Sequence, residues 1–249
     1  MEIELFKRHF CDSHAGSKMA TPTQGNARHL SLGLSGITKG KKSVNCVVSS
    51  YLVFIGILGV SRVPHAKAAP TTRALLTSIT TTSDLQVAVS AWCSDSVSAS
   101  STYGDISQWD ISTVTSMSVL FYTKCDTKES FNQSLEAWEV SSVTTMWRAI
   151  RGASAFNQPL NYWDVSRVTH LASIVESSAF NQPLAVWDTS AATIIHGMFY
   201  DTPFNQDISP WIITSVTSAE YMFTLNTAFN QVLCWDMTGI LTTQMFVNS

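Results

Sequence analysis

The chain has 249 residues and a formal net charge of −3, and this length allows one or two domains. The charge is unevenly spread, because residues 1–69 contain nine Lys or Arg against three acids, whereas residues 70–249 contain six against fifteen. An acidic body does not attract nucleic-acid phosphates, so we exclude nucleic acid as a partner.

A basic leader precedes the acidic body. Residues 1–43 are basic, polar and without a period, which predicts a disordered segment. An apolar run over residues 44–60 follows, and the segment 44–68 ends with small residues at Ala66 and Ala68. This order is typical of a secretory signal that is cleaved after Ala68.

Three alternatives to this interpretation stay open. Met19 is a second candidate for the true start of the chain. Residues 44–60 are at the short edge of a membrane span, so they could remain as a signal anchor, or they could be a buried core segment. Cleavage or anchoring would place the body outside the cell or at its surface, with membrane contact only through residues 44–60 if they are uncleaved.

A short helical region is predicted next. Residues 69–82 are rich in Thr and Ser and are predicted to form a linker, and residues 83–103 to form a capping helix and lead-in. Ser83 and Gln86 have the spacing of a capping box. The apolar stripe of this helix consists of Leu85, Ala88, Val89 and Trp92. We expect it to cover the open apolar end of the first repeat.

The body of the chain is repetitive. The tripeptide Phe-Asn-Gln recurs at steps of 24 or 25 residues, at Phe131, Phe156, Phe180, Phe204 and Phe229. A Trp column runs in step with it, at Trp109, Trp138, Trp163, Trp187, Trp211 and Trp235. A period this short indicates stacked coils, each of which buries its apolar face against its neighbours.

Apolar residues also recur at fixed distances from each Trp, as at Val114, Met117 and Phe121 of the first coil. The intervening Val-Thr-x-Met stretch alternates inward and outward, which predicts one short strand per coil, paired in parallel with its neighbours. We therefore predict a repeat solenoid over residues 104–249, with short parallel strands, one per repeat, and about six coils, the last one incomplete.

The repeat motif resembles that of a known family. The stretch from Trp163 through Ser166, Val168 and Thr169 to Ala179–Leu184 resembles the repeats of the BspA-like leucine-rich-repeat surface proteins. The resemblance covers about residues 103–246. It implies a leucine-rich-repeat-like right-handed coil on the cell surface or secreted from it, with a role in adhesion or protein binding.

Two repeated columns are predicted to be structural. The Trp column belongs to the core. The Asn column is expected to bond the backbone of each corner, as short polar side chains do in turns, and consists of Asn132, Asn157, Asn181, Asn205 and Asn230. The tripeptide Asn132-Gln133-Ser134 is an N-glycosylation sequon, but we expect this Asn to be turned inward and unmodified.

The outward face of the predicted strands is the candidate contact surface. Its members are Thr115, Ser116, Thr144, Thr145, Thr169, His170, Thr193, Ile194, Thr217 and Ser218. A flat Thr column could also bind ice or a glycan, although Thr is common on exposed strands for structural reasons alone.

The remaining chemistry-bearing residues are few. A disulfide between Cys93 and Cys125 would pin the capping helix to the first coil, and Cys234 would then remain buried and free. His170 and His196 lie on successive coils, but no third metal ligand is evident. We find no catalytic, phosphate-binding or zinc-binding motif, so we expect no cofactor, no metal and no enzymatic activity.

These observations predict a secreted or cell-surface protein-binding or adhesion module whose partner is an unknown protein or glycan. A structural cell-coat spacer that assembles end to end through its last coil is the alternative. A secreted enzyme with its site in the 122–130 insertion, where the first coil is longer than the others, is a weaker hypothesis.

Overall fold

The computed structural model describes residues 77–249. The predicted leader, the signal segment and residues 69–76 of the predicted linker lie outside this range. Within it there are three α-helices, α1 Thr82–Ser94, α2 Ser96–Tyr103 and α3 Leu120–Lys124, and two 3₁₀ helices, Ile106–Gln108 and Lys128–Ser130.

The capping box of α1 is not the predicted one. Thr81 is the N-cap, and its hydroxyl accepts a hydrogen bond from the amide of Asp84 at 3.1 Å. The Asp84 carboxylate accepts in return from the Thr81 amide at 2.9 Å. A carboxylate in the first turn also suits the positive end of the helix dipole, which gives Asp84 an advantage over Gln86.

Helix α1 packs against the first coil, as its apolar stripe predicts. Leu85, Ala88 and Val89 are fully buried. The Trp92 ring meets the Trp109 ring edge-on, with 5.9 Å between the centroids. The hydroxyl of Thr82 also donates to the carbonyl of Ser116, so polar contacts tie this helix to the first coil as well.

The core runs through all six coils, which we number from the Trp that begins each one. All six members of the Trp column are buried, and so are the predicted apolar columns. The indole of Trp187 donates to the carbonyl of Leu160 at 2.9 Å and stacks on Trp211 at 6.1 Å. The five Phe of the Phe-Asn-Gln motif stack in the same way, with 6.0–6.5 Å between successive rings. Each coil therefore packs against the next by stacking Trp on Trp or Phe on Phe.

The predicted strands are absent from residues 77–249, so a fold with one strand per repeat is wrong. Each coil instead contributes one residue to a series of isolated parallel bridges. These residues, which we call the bridge column, are Ser116, Thr145, His170, Ile194, Ser218 and Leu241.

Backbone geometry explains why each bridge stays isolated. Three residues after each bridge residue, the chain takes a left-handed conformation with φ between 55° and 56°. These residues are Val119, Arg148, Ser173, Gly197, Tyr221 and Gln244. A strand needs extended φ and ψ, so the left-handed residue turns the chain before a second bridge can form. Hydrogen bonds between coils nevertheless continue past the turn, as from the Ile150 amide to the Ile174 carbonyl at 2.9 Å.

Candidate functional site

The Thr column of the candidate contact face is tied to the backbone. The hydroxyl of Thr169 donates to the carbonyl of Thr144 at 3.2 Å, and the Thr169 amide donates to the same oxygen at 2.9 Å. Thr193 and Thr217 repeat this contact with the preceding Thr at 3.0 and 3.1 Å. From Thr144 to Thr217, the hydroxyl protons that an ice or glycan ligand would contact are therefore used between coils.

A group of larger side chains lies beside the bridge column. We call it the arginine–aromatic cluster, and it consists of Tyr122, Trp147, Arg148, Arg151 and His170. These residues come from three successive coils. The cluster thus exists only because the coils stack in register.

The longer first coil supplies Tyr122. Helix α3 buries Leu120 and Phe121 in the core, whereas Tyr122 is half-buried. The guanidinium carbon of Arg151, in the second coil, lies 4.8 Å from the centroid of the Tyr122 ring. The first coil therefore places an aromatic ring beside two arginines of the second coil.

Trp147 and Arg148 form the centre of the cluster. The Trp147 ring stacks on the ring of His170, with 6.0 Å between centroids. The Arg148 guanidinium lies 4.7 Å from the Trp147 ring centroid and 5.8 Å from that of Tyr122. Trp147 is 36% exposed, an unusual exposure for a Trp in a chain whose Trp column is buried.

The two arginines differ in their charge partners. Arg151 forms an ion pair with the buried Glu176 at 2.8 Å, which neutralises a carboxylate that burial would otherwise destabilise. Among residues 77–249, no carboxylate forms an ion pair with Arg148, and its Nε atom is buried without a hydrogen-bond partner. Arg148 therefore carries the charge of the cluster that remains available to a ligand.

His170 joins the cluster to the bridge column. Burial lowers the pKa of His170 from its ordinary value, and the positive charge of His196 lowers this pKa further. No group of three or more metal-ligand side chains occurs within residues 77–249.

The Asn column forms a ladder on another part of the coil. Oδ1 of Asn157 accepts from the Asn181 amide at 2.9 Å and from Nε2 of Gln182 at 3.1 Å. The same contacts recur at every step from Asn132 to Asn230. The ladder geometry agrees with the structural role predicted for the column, but Asn132 itself is exposed and not turned inward.

The cysteines include one departure from the prediction. Cys93 and Cys125 form a disulfide that joins α1 to the end of α3, which is the bridge predicted from their positions. Cys234 is exposed and disulfide-bonded, so it is neither buried nor a free thiol.

An open polar groove lies beside the first disulfide. It has a volume of about 340 Å³ and lies between the junction of α1 with α2 and the first coil. Its lining includes Asp95, Thr127 and Gln133. Asp95 uses its carboxylate to cap α2, so it offers little to a ligand.

Comparisons with known proteins place the chain in a family. Residues 91–203 and 175–249 match the family described as "Mycoplasma protein of unknown function, DUF285". The chain belongs to the DUF285 family. Searches of curated proteins and of solved structures found no match to this chain.

In this DUF285 chain, no helix of the described range is long and apolar enough to cross a membrane. The structure brings together four residues that sequence reasoning missed, namely Tyr122, Trp147, Arg148 and Arg151. One available signal was that Trp147 lies outside the Trp column and has an Arg beside it.

Proposed function

We propose that this DUF285 protein is a non-catalytic protein-binding module that acts on the cell surface or outside the cell. Its contact surface is the arginine–aromatic cluster together with the neighbouring part of the bridge column. The partner is a protein with an acidic surface, because the cluster presents Arg148 without a carboxylate partner in the described range.

The exposure of Trp147 beside Arg148 is the observation that carries the proposal. Residues that dominate binding energy at protein interfaces are enriched in Trp, Tyr and Arg, and the cluster contains all three types. Because stacking on His170 and Arg148 already orients the Trp147 ring, little conformational entropy would be lost on binding.

The surface location rests on the basic leader and on the resemblance to the BspA-like surface proteins. The signal-like order of residues 44–68 supports export. The end-to-end spacer stays a prediction, and the use of the Thr hydroxyls between coils favours a structural role for the Thr column over ice or glycan binding.

A capture experiment with matched baits tests the proposal. The full chain and its Trp147→Ala variant would be immobilised and incubated with surface proteins of the source cells, and the captured proteins quantified by mass spectrometry. We expect a defined set of acidic proteins on the wild-type bait and its loss on Trp147→Ala.

Tyr162→Ala is the matched control. Tyr162 is 73% exposed, is also aromatic and lies outside the cluster, so its removal should leave the captured set unchanged. Equal capture by wild type and Trp147→Ala would show that the cluster is not the contact surface.

A further inference from the structure

The Asn column contains one position that differs from the others in its sequence. Asn132-Gln133-Ser134 is an N-glycosylation sequon. The third residue is Pro, Asp or Val at the other four positions, as at Pro159 after Asn157. Asn132-Gln133-Ser134 is also the only sequon in the 249 residues.

The ladder leaves the reactive atom of Asn132 unused. Oδ1 of Asn132 accepts from the Asn157 amide and from Nε2 of Gln158, both at 3.0 Å. Within residues 77–249, Nδ2 of Asn132 makes no hydrogen bond, and the residue is exposed. The fold therefore needs the oxygen of this amide but not its nitrogen.

Glycosylation uses the complementary atom. Nδ2 attacks the anomeric carbon of a lipid-pyrophosphate-linked oligosaccharide, forming a carbon–nitrogen bond. The carbon–oxygen bond to the pyrophosphate breaks, the lipid pyrophosphate leaves with that electron pair, and Nδ2 loses one proton. The Oδ1 atom of Asn132 remains a carbonyl oxygen, so the bonds to Asn157 and Gln158 can persist.

Asn132 is also more exposed than the three middle rungs of the ladder. It is the first rung of the ladder, and its neighbours Phe131 and Gln133 both line the open polar groove. Asn157, Asn181 and Asn205, by contrast, are half-buried. A bulky sugar is tolerated on a surface and not within packed coils.

We propose that Asn132 is the acceptor of an N-linked glycan. Its occupancy in the source cells rests on the proposed export of the chain. The acceptor itself is independent of that export and can be tested apart from it.

The test uses the full chain fused behind a host secretory signal and translated with glycosylation-competent microsomes. Only the protease-protected chains are scored, so every scored chain has been translocated. Enzymatic release of the glycan in heavy-oxygen water converts a glycosylated Asn to an Asp that carries the heavy oxygen. We expect peptide mass spectrometry to find this labelled Asp at position 132. The matched variant Ser134→Ala keeps the Asn132 ladder contacts and should lose the glycan completely.

Protected chains with an unmodified Asn132 would overturn the proposal. A second measurement compares thermal unfolding of the glycosylated chain and Ser134→Ala, whose midpoints should agree within about 2 °C because the ladder is intact in both. A much lower midpoint for the glycosylated chain would show that the sugar breaks the ladder, against the geometry argued here. Modification in microsomes but not in the source cells would support the acceptor and contradict the proposed export.

Discussion

The backbone amide of Asn205 donates to Oδ1 of Asn181 at 2.9 Å, across one complete repeat of the chain. Nε2 of Gln206 donates to the same oxygen at 2.9 Å. One side-chain oxygen thus satisfies two donors of the next coil, and the coil stack depends on it at this corner.

Asn181→Ala should lower the free energy of unfolding by about 1–3 kcal/mol, because it leaves the half-buried amide of Asn205 without an acceptor and leaves Nε2 of Gln206 with only the Asn181 carbonyl at 3.3 Å. Urea unfolding measures the change. Asn181→Asp is the control, since it keeps an oxygen at the same place and should cost clearly less. Equal losses in the two variants would contradict the ladder.

Trp187→Ala should lower the free energy of unfolding by about 3–5 kcal/mol, because it removes a buried ring that stacks on Trp211 and donates to Leu160. Thr115→Ala is the control on the exposed face, with an expected loss below about 0.5 kcal/mol. Similar losses at the two positions would contradict the assignment of the Trp column to the core.

Thr193→Val tests whether the Thr column is structural. Thr193 is half-buried, not exposed as predicted, and its hydroxyl donates to Thr169 at 3.0 Å. Valine keeps the shape but not the hydrogen bond, so we expect a loss of about 0.5–1.5 kcal/mol by urea unfolding. Thr115→Val, at the first member of the column, should be nearly neutral because no hydrogen bond of that hydroxyl is found in the described range. An unchanged free energy of unfolding for Thr193→Val would show that the coils do not need this hydroxyl, which would contradict the structural role of the column.

The disulfide between Cys93 and Cys125 closes a loop with a sequence separation of 32 residues. Replacing both with Ser should cost about 2–4 kcal/mol, because the unfolded chain gains freedom. The near-ultraviolet signal of the Trp92 and Trp109 pair should also weaken on mild heating, before the coils unfold. An unchanged unfolding midpoint would show that packing alone holds α1 in place.

Stability should fall in mild acid because of His170. Its pKa is lowered in the folded state by burial and by His196, so the unfolded state binds more protons once the pH drops below the ordinary value of 6.5. The contribution is present above pH 6.5 and is lost as the pH falls toward the lower pKa of the folded state. His170→Gln should flatten the curve of unfolding midpoint against pH in this window. Identical curves of unfolding midpoint against pH for wild type and His170→Gln would contradict the assignment of this pH dependence to His170.

The coil period, the buried Trp column and the position of α1 could be predicted, because each depends on residue spacing alone. The replacement of the predicted strands by isolated bridges could not be predicted from the sequence. The left-handed turn after each bridge residue is occupied by Val119, Arg148 or Tyr221 as readily as by Gly197, so no glycine pattern marks it.

The candidate site was only partly predictable for a similar reason. His170 was assigned to the outward face by its place in the repeat. Tyr122 and Arg151 lie at the same distance from the Trp of their own coils, so their contact follows from the repeat, whereas the contacts of Arg148 with Trp147 and Tyr122 depend on side-chain conformations that residue spacing does not fix.

The central claim is tested most directly by the affinity of the full chain for the partner recovered by capture. Titration calorimetry would measure this affinity for wild type, Trp147→Ala and Tyr162→Ala. We predict that Trp147→Ala raises the dissociation constant at least about tenfold, as loss of a dominant interface residue does, and that Tyr162→Ala leaves it unchanged. An unchanged dissociation constant for Trp147→Ala would contradict the assignment of the arginine–aromatic cluster as the binding surface.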